Sequence, residues 1–357
     1  RARMACVTVG IKTPYIITSR SDPERSKIDS IALSCIYSNY LQEPTCRHGL
    51  AQPVEQVRHP YHVLTVNPGS TSTTRAWFQN RQCLKSFEVA RQHQSGLKGE
   101  ALDRELDAYV DQIKEFMGGD LPKPDAIVGR GGFLNRENQR IKGGVYQVCT
   151  VEDGELREET DIITSVRDHA EMDHASNLGI PIAARLAHHF QVPAFSVDPV
   201  VSDDFQDEAR YSGYAPIARR STAHMLSIRA SARKASAVIG RPFEKSGFLV
   251  AHIGGGVSVA AVRNGEVVDN TIALLGEGPF TPQRAGTLPQ NELIDLCFSG
   301  EFDRDGLKVE LTKRAGLMSY LGEYSMQTIE ERIQAGDEEA EKAVNAMVYQ
   351  IAKDIGA

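Results

Sequence analysis

Apolar positions recur along this chain with two different periods, one near 3.6 residues and one near 2. From Gly99 to Met117, residues Leu102, Leu106, Tyr109, Val110, Ile113 and Phe116 fall on one helical face with charged residues between them, which predicts an amphipathic helix. Asp337–Ala357 has the same spacing at Val344, Met347, Val348, Ile351 and Ile355, with Gly356 placed as a C-cap. Asp173–Gln191 and most of Ala209–Ile239 also read as helix, as do Leu293–Phe298 and Glu323–Gln334. Short β-rich runs predict strands at Tyr61–Val66, Asp125–Val128, Gly144–Thr150, Ala194–Asp198, Phe248–His252 and Val257–Val262. Asn264-Gly265 then turns the chain into Glu266–Asp269. Strands and helices alternate but hairpins interrupt them, so the expected class is α/β with mixed sheets.

The length of 357 residues is enough for two domains. Residues 1–59 stand apart from the rest. They show no persistent period, are broken by Pro14, Pro23, Pro44 and Pro53, and hold eight basic against five acidic residues. They are expected to be a leader outside the fold, disordered or artefactual, followed by domains at 60–200 and 201–357. The net charge of −7 argues against a nucleic-acid binder held by bulk basicity. No apolar run reaches the ~18 residues of a membrane helix. Six cysteines without a C-x-x-C pair support neither a disulfide scaffold nor structural zinc, and a reducing cytoplasm is the default.

Six segments carry candidate chemistry. Val66–Thr73 places Asn67, Gly69, Ser70 and Ser72 in a strand, a Gly/hydroxyl turn and an outgoing segment, where close backbone approach and hydroxyl donors suit phosphate oxygens. The alternative is an ordinary Gly-Ser turn. Ala251–Ser258 repeats the arrangement, with His252 followed by Gly254, Gly255 and Gly256. Three glycines cost roughly 1 kcal/mol each relative to Ala, more than a plain hairpin needs. Arg130 stands among glycines after a strand, and Arg284 lies in a loop stiffened by Pro and Gly. Either offers a permanently charged fork for carboxylate or phosphate. Asp198 ends a strand and is a candidate Mg²⁺ anchor. Arg220 and His224 bring a cation and an imidazole to one helix start. Together these groups suit phosphoryl transfer, in which catalysis is mostly positioning and charge neutralisation.

The motifs VNPGSTST, VGRGGFL, HASNLGIPIA, SVDPVVSDDF, AHIGGGVSVAAV and GPFTPQRAGTLP resemble those of the butyrate kinases, within the acetate kinase group of the acetate/sugar kinase, Hsc70 and actin superfamily. The likeness runs from about His62 to the last residue. It implies two ribonuclease H-like domains around a cleft, with the two glycine turns as the phosphate loops. The implied reaction is ATP and butanoate to ADP and butanoyl phosphate, with Mg²⁺. Branched-chain acids are an alternative acceptor, and a catalytically impaired binding module is an alternative role. Asn67, Gly69, Ser70 and Ser72 match the first phosphate loop; His252, Gly254, Gly255 and Gly256 match the second. Arg130, Arg284 and Arg220 match positions that handle carboxylate and phosphoryl charge, and Asp198 the acid beside the metal. Only small-molecule partners, ATP and a short-chain carboxylate, are implied, along with a cytoplasmic homo-oligomer of at least two subunits. Two departures are visible. The first phosphate loop would end in Lys, where this chain has Thr74 and then Arg75. The resemblance also implies a further strand, an adenosine-holding Gly-Gly turn and a last helix beyond Gly356, so the second domain is expected to be incomplete.

Overall fold

The computed structural model describes the chain apart from residues 1–15, 20–59, 70–71, 91–93, 95, 119–120, 136–139, 171 and 273. Most of the expected leader therefore lies outside the described residues. The chain divides into two compact units, Ala51–Ser202 and Asp203–Ala357. The first strand, β1 (Ile16–Ser19), belongs to the sheet of the second unit.

Ala51–Ser202 is built on one seven-stranded sheet. Its strands are β2 (His62–Pro68), β3 (Ser72–Gln79), β4 (Gln82–Ala90), β5 (Ala126–Arg130), β6 (Val145–Glu152), β7 (Glu155–Glu158) and β8 (Ala194–Val197), in the order β4-β3-β2-β5-β8-β6-β7. The central β2, β5 and β8 run parallel, and the flanking pairs are added antiparallel. Helix α1 (Gly99–Met117) forms over the span its periodicity predicts, and its apolar stripe is buried. Each such side chain contributes about 1.5–3 kcal/mol on leaving water. Helices α2 (Thr160–Arg167) and α3 (Gly179–Phe190) complete the unit. Helix α3 meets β5 backbone to backbone: a Cβ on Gly129 would overlap the Gly179 carbonyl, and one on Gly179 would overlap the Arg130 carbonyl.

The second unit begins with a two-stranded hairpin, β9 (Tyr211–Tyr214) and β10 (Ile217–Ala218). Its main sheet is β1-β11-β12-β13, with β11 (Gly247–Ile253), β12 (Val257–Arg263) and β13 (Glu266–Asn270) forming an antiparallel meander. β1 pairs parallel with β11, Ile16 opposite Val250. Alternation sends Val250, Ala260 and Val262 to one face, against Met225, Ile228 and Ala232 of α4 (Met225–Val238). Ala251, Val257 and Val259 face the other way. They pack with Leu317, Ile329, Met347 and Ile351 from helices that follow α5 (Gln290–Phe298) and α6 (Arg304–Val309), namely α7 (Leu317–Leu321), α8 (Met326–Gln334) and α9 (Glu338–Gly356).

Three expectations from the sequence are corrected. The stretch Ala209–Ile239 is α-helical only from Met225; after a 3₁₀ turn at Asp207–Arg210, Gly213 has a φ of +94° and Pro216 lacks an N–H, so the chain turns as a hairpin. The helix expected over Asp173–Gln191 is split into a 3₁₀ turn at Ala175–Leu178 and α3, with His174 Nδ1 accepting from the Ser176 N–H at the start. The helix expected at Glu323 starts at Met326, where the Ser325 side chain caps the Thr328 N–H.

Candidate functional site

The parallel register of β2, β5 and β8 delivers three candidate residues to one end of their sheet. Val66 lies opposite Gly129 and Arg130 opposite Val197, so Asn67, Arg130 and Asp198 emerge together at the strands' C-terminal ends. Ligands of open α/β sheets collect at such ends. Arg130 Nη1 donates to Asn67 Oδ1 at 3.1 Å. Asp198 is buried with a φ of +43°, and its N–H donates to the Gly144 carbonyl at 2.9 Å. The glycines after Arg130 are needed for close approach: a Cβ on Gly131 would lie 2.8 Å from Pro199 Cα, and one on Gly132 would overlap Asn177. Asn177 Oδ1 accepts from the Phe133 N–H at 2.8 Å, which makes this buried amide the fixture of the Arg130 loop. It was visible only as part of the HASNL motif and was not singled out from the sequence.

The first glycine turn closes through the Gly69 N–H to the Ser72 carbonyl at 2.8 Å. Ser70 lies outside the described residues. The Ser72 hydroxyl donates to the Glu88 carboxylate of β4, so this side chain is engaged within the sheet. Thr74 pairs with Asn67 across the β2–β3 register. Arg75, one residue on, points to the opposite face. It is 3% exposed, donates from Nη2 to Gln112 of α1 at 3.3 Å and lies over the Phe87 ring at 5.6 Å. Its Nε and Nη1 have no hydrogen-bond partner among the described residues, and burial pulls its pKa down from the guanidinium value. It therefore takes no part in the turn.

The second unit gathers the remaining candidates. The Gly254 N–H donates to the Gly256 carbonyl at 3.0 Å, closing the β11–β12 turn. A Cβ on Gly256 would lie 2.5 Å from Arg284 Nη1 and 3.2 Å from His224 Cε1, whereas one on Gly255 would meet nothing within 4 Å. The His252 and His224 rings stack with centroids 4.1 Å apart, and His224 Nδ1 is 2.9 Å from Ser258 Oγ. Thr281 ties the Arg284 loop to the turn: its hydroxyl donates to the Gly255 carbonyl at 3.0 Å and accepts from the Arg284 N–H at 3.2 Å. Burial pulls the Arg284 pKa down, yet a guanidinium stays charged at neutral pH. A cavity of about 330 Å³ opens beside Arg284, with Val257, Ile272, Leu275, Pro279, Leu288 and Leu293 among its walls. Arg220 is exposed and begins the segment that ends at His224. Among the described residues no group of three His, Cys, Asp or Glu side chains could hold a metal, and no helix is long and apolar enough to cross a membrane.

Mixed sheets flanked by helices, each carrying a glycine turn between antiparallel strands, define an α/β protein of the actin-like ATPase class. The fold matches the crystal structure of Porphyromonas gingivalis acetate kinase with a TM-score of 0.63 at 19% identity, covering 83% of this chain and 79% of that one. It matches a propionate kinase from Francisella tularensis with a TM-score of 0.62 at 17% identity and the same coverage. Residues 210–357 match the pattern of the acetokinase family. Proteins from Listeria innocua and Listeria monocytogenes, each named "Probable butyrate kinase", are 41% and 40% identical over 308 residues, covering 83% of this chain and 81% of theirs. The chain belongs to the acetokinase family.

Proposed function

We propose that this chain is a carboxylate kinase that moves the γ-phosphoryl group of ATP to butanoate, reversibly giving butanoyl phosphate and ADP. The observation that carries this reading is Arg284, set against the Gly254–Gly256 turn and opening on an apolar-walled cavity. A fixed cation beside aliphatic walls suits a carboxylate with a short alkyl chain. Such an acceptor is already ionised at neutral pH, so it needs no general base. A carboxylate oxygen attacks the γ-phosphorus in line. The bond to the β–γ bridging oxygen breaks, and its electron pair leaves with ADP. The barrier comes largely from bringing two anions together, which cations lower.

In this reading Arg284 and Arg130 hold carboxylate and phosphoryl oxygens, and Arg220 offsets the charge that develops during transfer. Asn67 orients Arg130. The glycine turns at Gly69 and at Gly254–Gly256 let phosphate oxygens approach backbone N–H groups without steric cost, and His252 flanks the second of them. Ser72 serves the loop by bracing it through Glu88. Mg²⁺ keeps several waters and takes one or two protein carboxylates along with phosphates, so the single oxygen-donor side chain of Asp198 fits it. When bound, the ion neutralises phosphate charge. We further propose a cytoplasmic homo-oligomer, which light scattering on the purified chain checks.

Two observations favour a second reading, a family member of low turnover. Thr74 supplies no cation to the first turn, and Arg75 is buried on the other face. Hydroxylamine trapping of acyl phosphate from ATP, Mg²⁺ and either butanoate or 2-methylpropanoate decides. Faster trapping with butanoate supports the proposal; faster trapping with the branched acid moves the specificity. ATP binding without trapping of either product leaves the binding role.

A further inference from the structure

Arg220 is a single exposed residue between two residues that are held from both sides. Before it, Arg219 donates to the carboxylates of Asp269 (3.0 Å) and Glu277 and to the carbonyls of Ala209 and Asn270. Its guanidinium also lies 5.3 Å from the Phe205 ring centroid, and that of Arg210 lies 5.8 Å from the same ring. The Arg219 N–H closes the β9–β10 hairpin on the Arg210 carbonyl at 2.9 Å. After it, Ser221 is fully buried. Its hydroxyl donates to Asn270 Oδ1 at 2.8 Å, and its N–H points to Asp203 Oδ2 at 3.4 Å. Asp203 is itself buried and clamped by two guanidinium nitrogens of Arg210 at 2.7 and 2.9 Å. Among the described residues the Arg220 guanidinium itself has no hydrogen bond or ion pair.

The contrast has a chemical meaning. Asp203, Asp269 and Glu277 are three carboxylates near this segment, and each is matched to Arg210 or Arg219. The charge of Arg220 is left for an anion from outside, while the residues on either side fix where its backbone stands. Preorganised charge of this kind needs no rearrangement at the moment of reaction.

We infer that Ser221, held by Asn270 and Asp203, is a positioning residue that sets the location of Arg220. The inference rests on the role proposed for Arg220. It is tested by a double-mutant cycle in the full chain, reading acyl phosphate formation and thermal unfolding. Ser221→Ala removes one hydroxyl and is expected to lower kcat roughly ten- to hundredfold, with the KM for ATP little changed. In an Arg220→Ala background the same substitution is expected to cost nothing further, because residues acting as a unit are non-additive. Equal losses in both backgrounds, or full activity of Ser221→Ala, overturn the inference and leave the kinase reading standing. Full activity of Arg220→Ala, or no acyl phosphate from the unaltered chain, overturns the role of Arg220 and the inference with it. Asn270→Ala breaks the same hydrogen bond from the acceptor side, and the cycle is repeated with it if Ser221→Ala does not fold.

Discussion

Asn67 Oδ1 accepts a hydrogen bond from Arg130 Nη1 at 3.1 Å, so the strand leading into the first glycine turn and the glycine loop after β5 are joined side chain to side chain. The bond spans neighbouring parallel strands. It fixes one arm of the planar fork that the proposed function assigns to ligand oxygens. Asn67→Ala is expected to lower kcat/KM for acyl phosphate formation roughly tenfold. Arg130→Lys, which keeps the charge but loses the fork, is expected to fall further. Steady-state kinetics on both variants check this, and an active Lys variant would mean that charge alone suffices.

The second glycine turn offers a comparison between neighbours. Gly255→Ala meets open space, so its thermal transition is expected to stay put while ATP affinity drops. Gly256→Ala pushes on Arg284 and His224 and is expected to lose both activity and stability. Calorimetric titration with ATP, alongside thermal unfolding, reads both. Unchanged ATP affinity in Gly255→Ala removes the phosphates from this turn.

Arg75 is a desolvated cation with two nitrogens that have no hydrogen-bond partner among the described residues, an arrangement that costs stability. Arg75→Met is expected to unfold at the same temperature or higher and to leave acyl phosphate formation intact. Thr74→Lys, which adds a cation on the Asn67 side of β3, is expected to raise turnover. A loss of activity in Arg75→Met would place that side chain in the reaction after all.

Burial works against the charge on Asp203. The Arg210 fork, with the N–H groups of Phe205 and Ser221, outweighs it and holds the carboxyl below the usual range. A carboxyl depressed in the folded state stabilises above its unfolded pKa of about 3.9, and that contribution fades as pH falls through the lower folded value. Denaturant unfolding of the parent chain and Asp203→Asn is therefore expected to differ by several kcal/mol near pH 7, with the gap closing below about pH 4. A gap independent of pH would mean that the carboxylate charge is not what Arg210 reads.

Burial also pushes the Cys149 thiol up to about 12, whereas Cys83 and Cys297 are exposed. Brief alkylation of the native chain near pH 8, read by peptide mass spectrometry, is expected to label Cys83 and Cys297 and spare Cys149.

The helix α1 was legible to the residue because its stripe repeats every three or four positions and all of it is buried. The hairpin β3–β4 was not. Its inward side chains are Thr73, Arg75 and Trp77, and its outer strand is almost wholly exposed, so no apolar alternation marks it. The β9–β10 hairpin was hidden for a related reason. Tyr211, Tyr214 and Ile217 are exposed, so their pattern carries no information about a core. At the site, the glycine turns and Arg130 were legible because Gly and Arg announce close approach and fixed charge. The brace around Arg220 was not, because Arg219 reaches partners 50 and 58 positions away and Ser221 one 49 positions away. Such pairings exist only once the sheet has formed.

The contact between Gly129 and Gly179 bears on how this sequence can drift over generations. Gly129 is held small by the main chain of Gly179, and Gly179 by that of Arg130, so a lineage that gained a methyl at either would have to re-seat a whole helix before any partner change could help. Selection would keep both fixed without either touching a ligand. Invariance at these two positions would then record how closely two backbones lie, and nothing about chemistry.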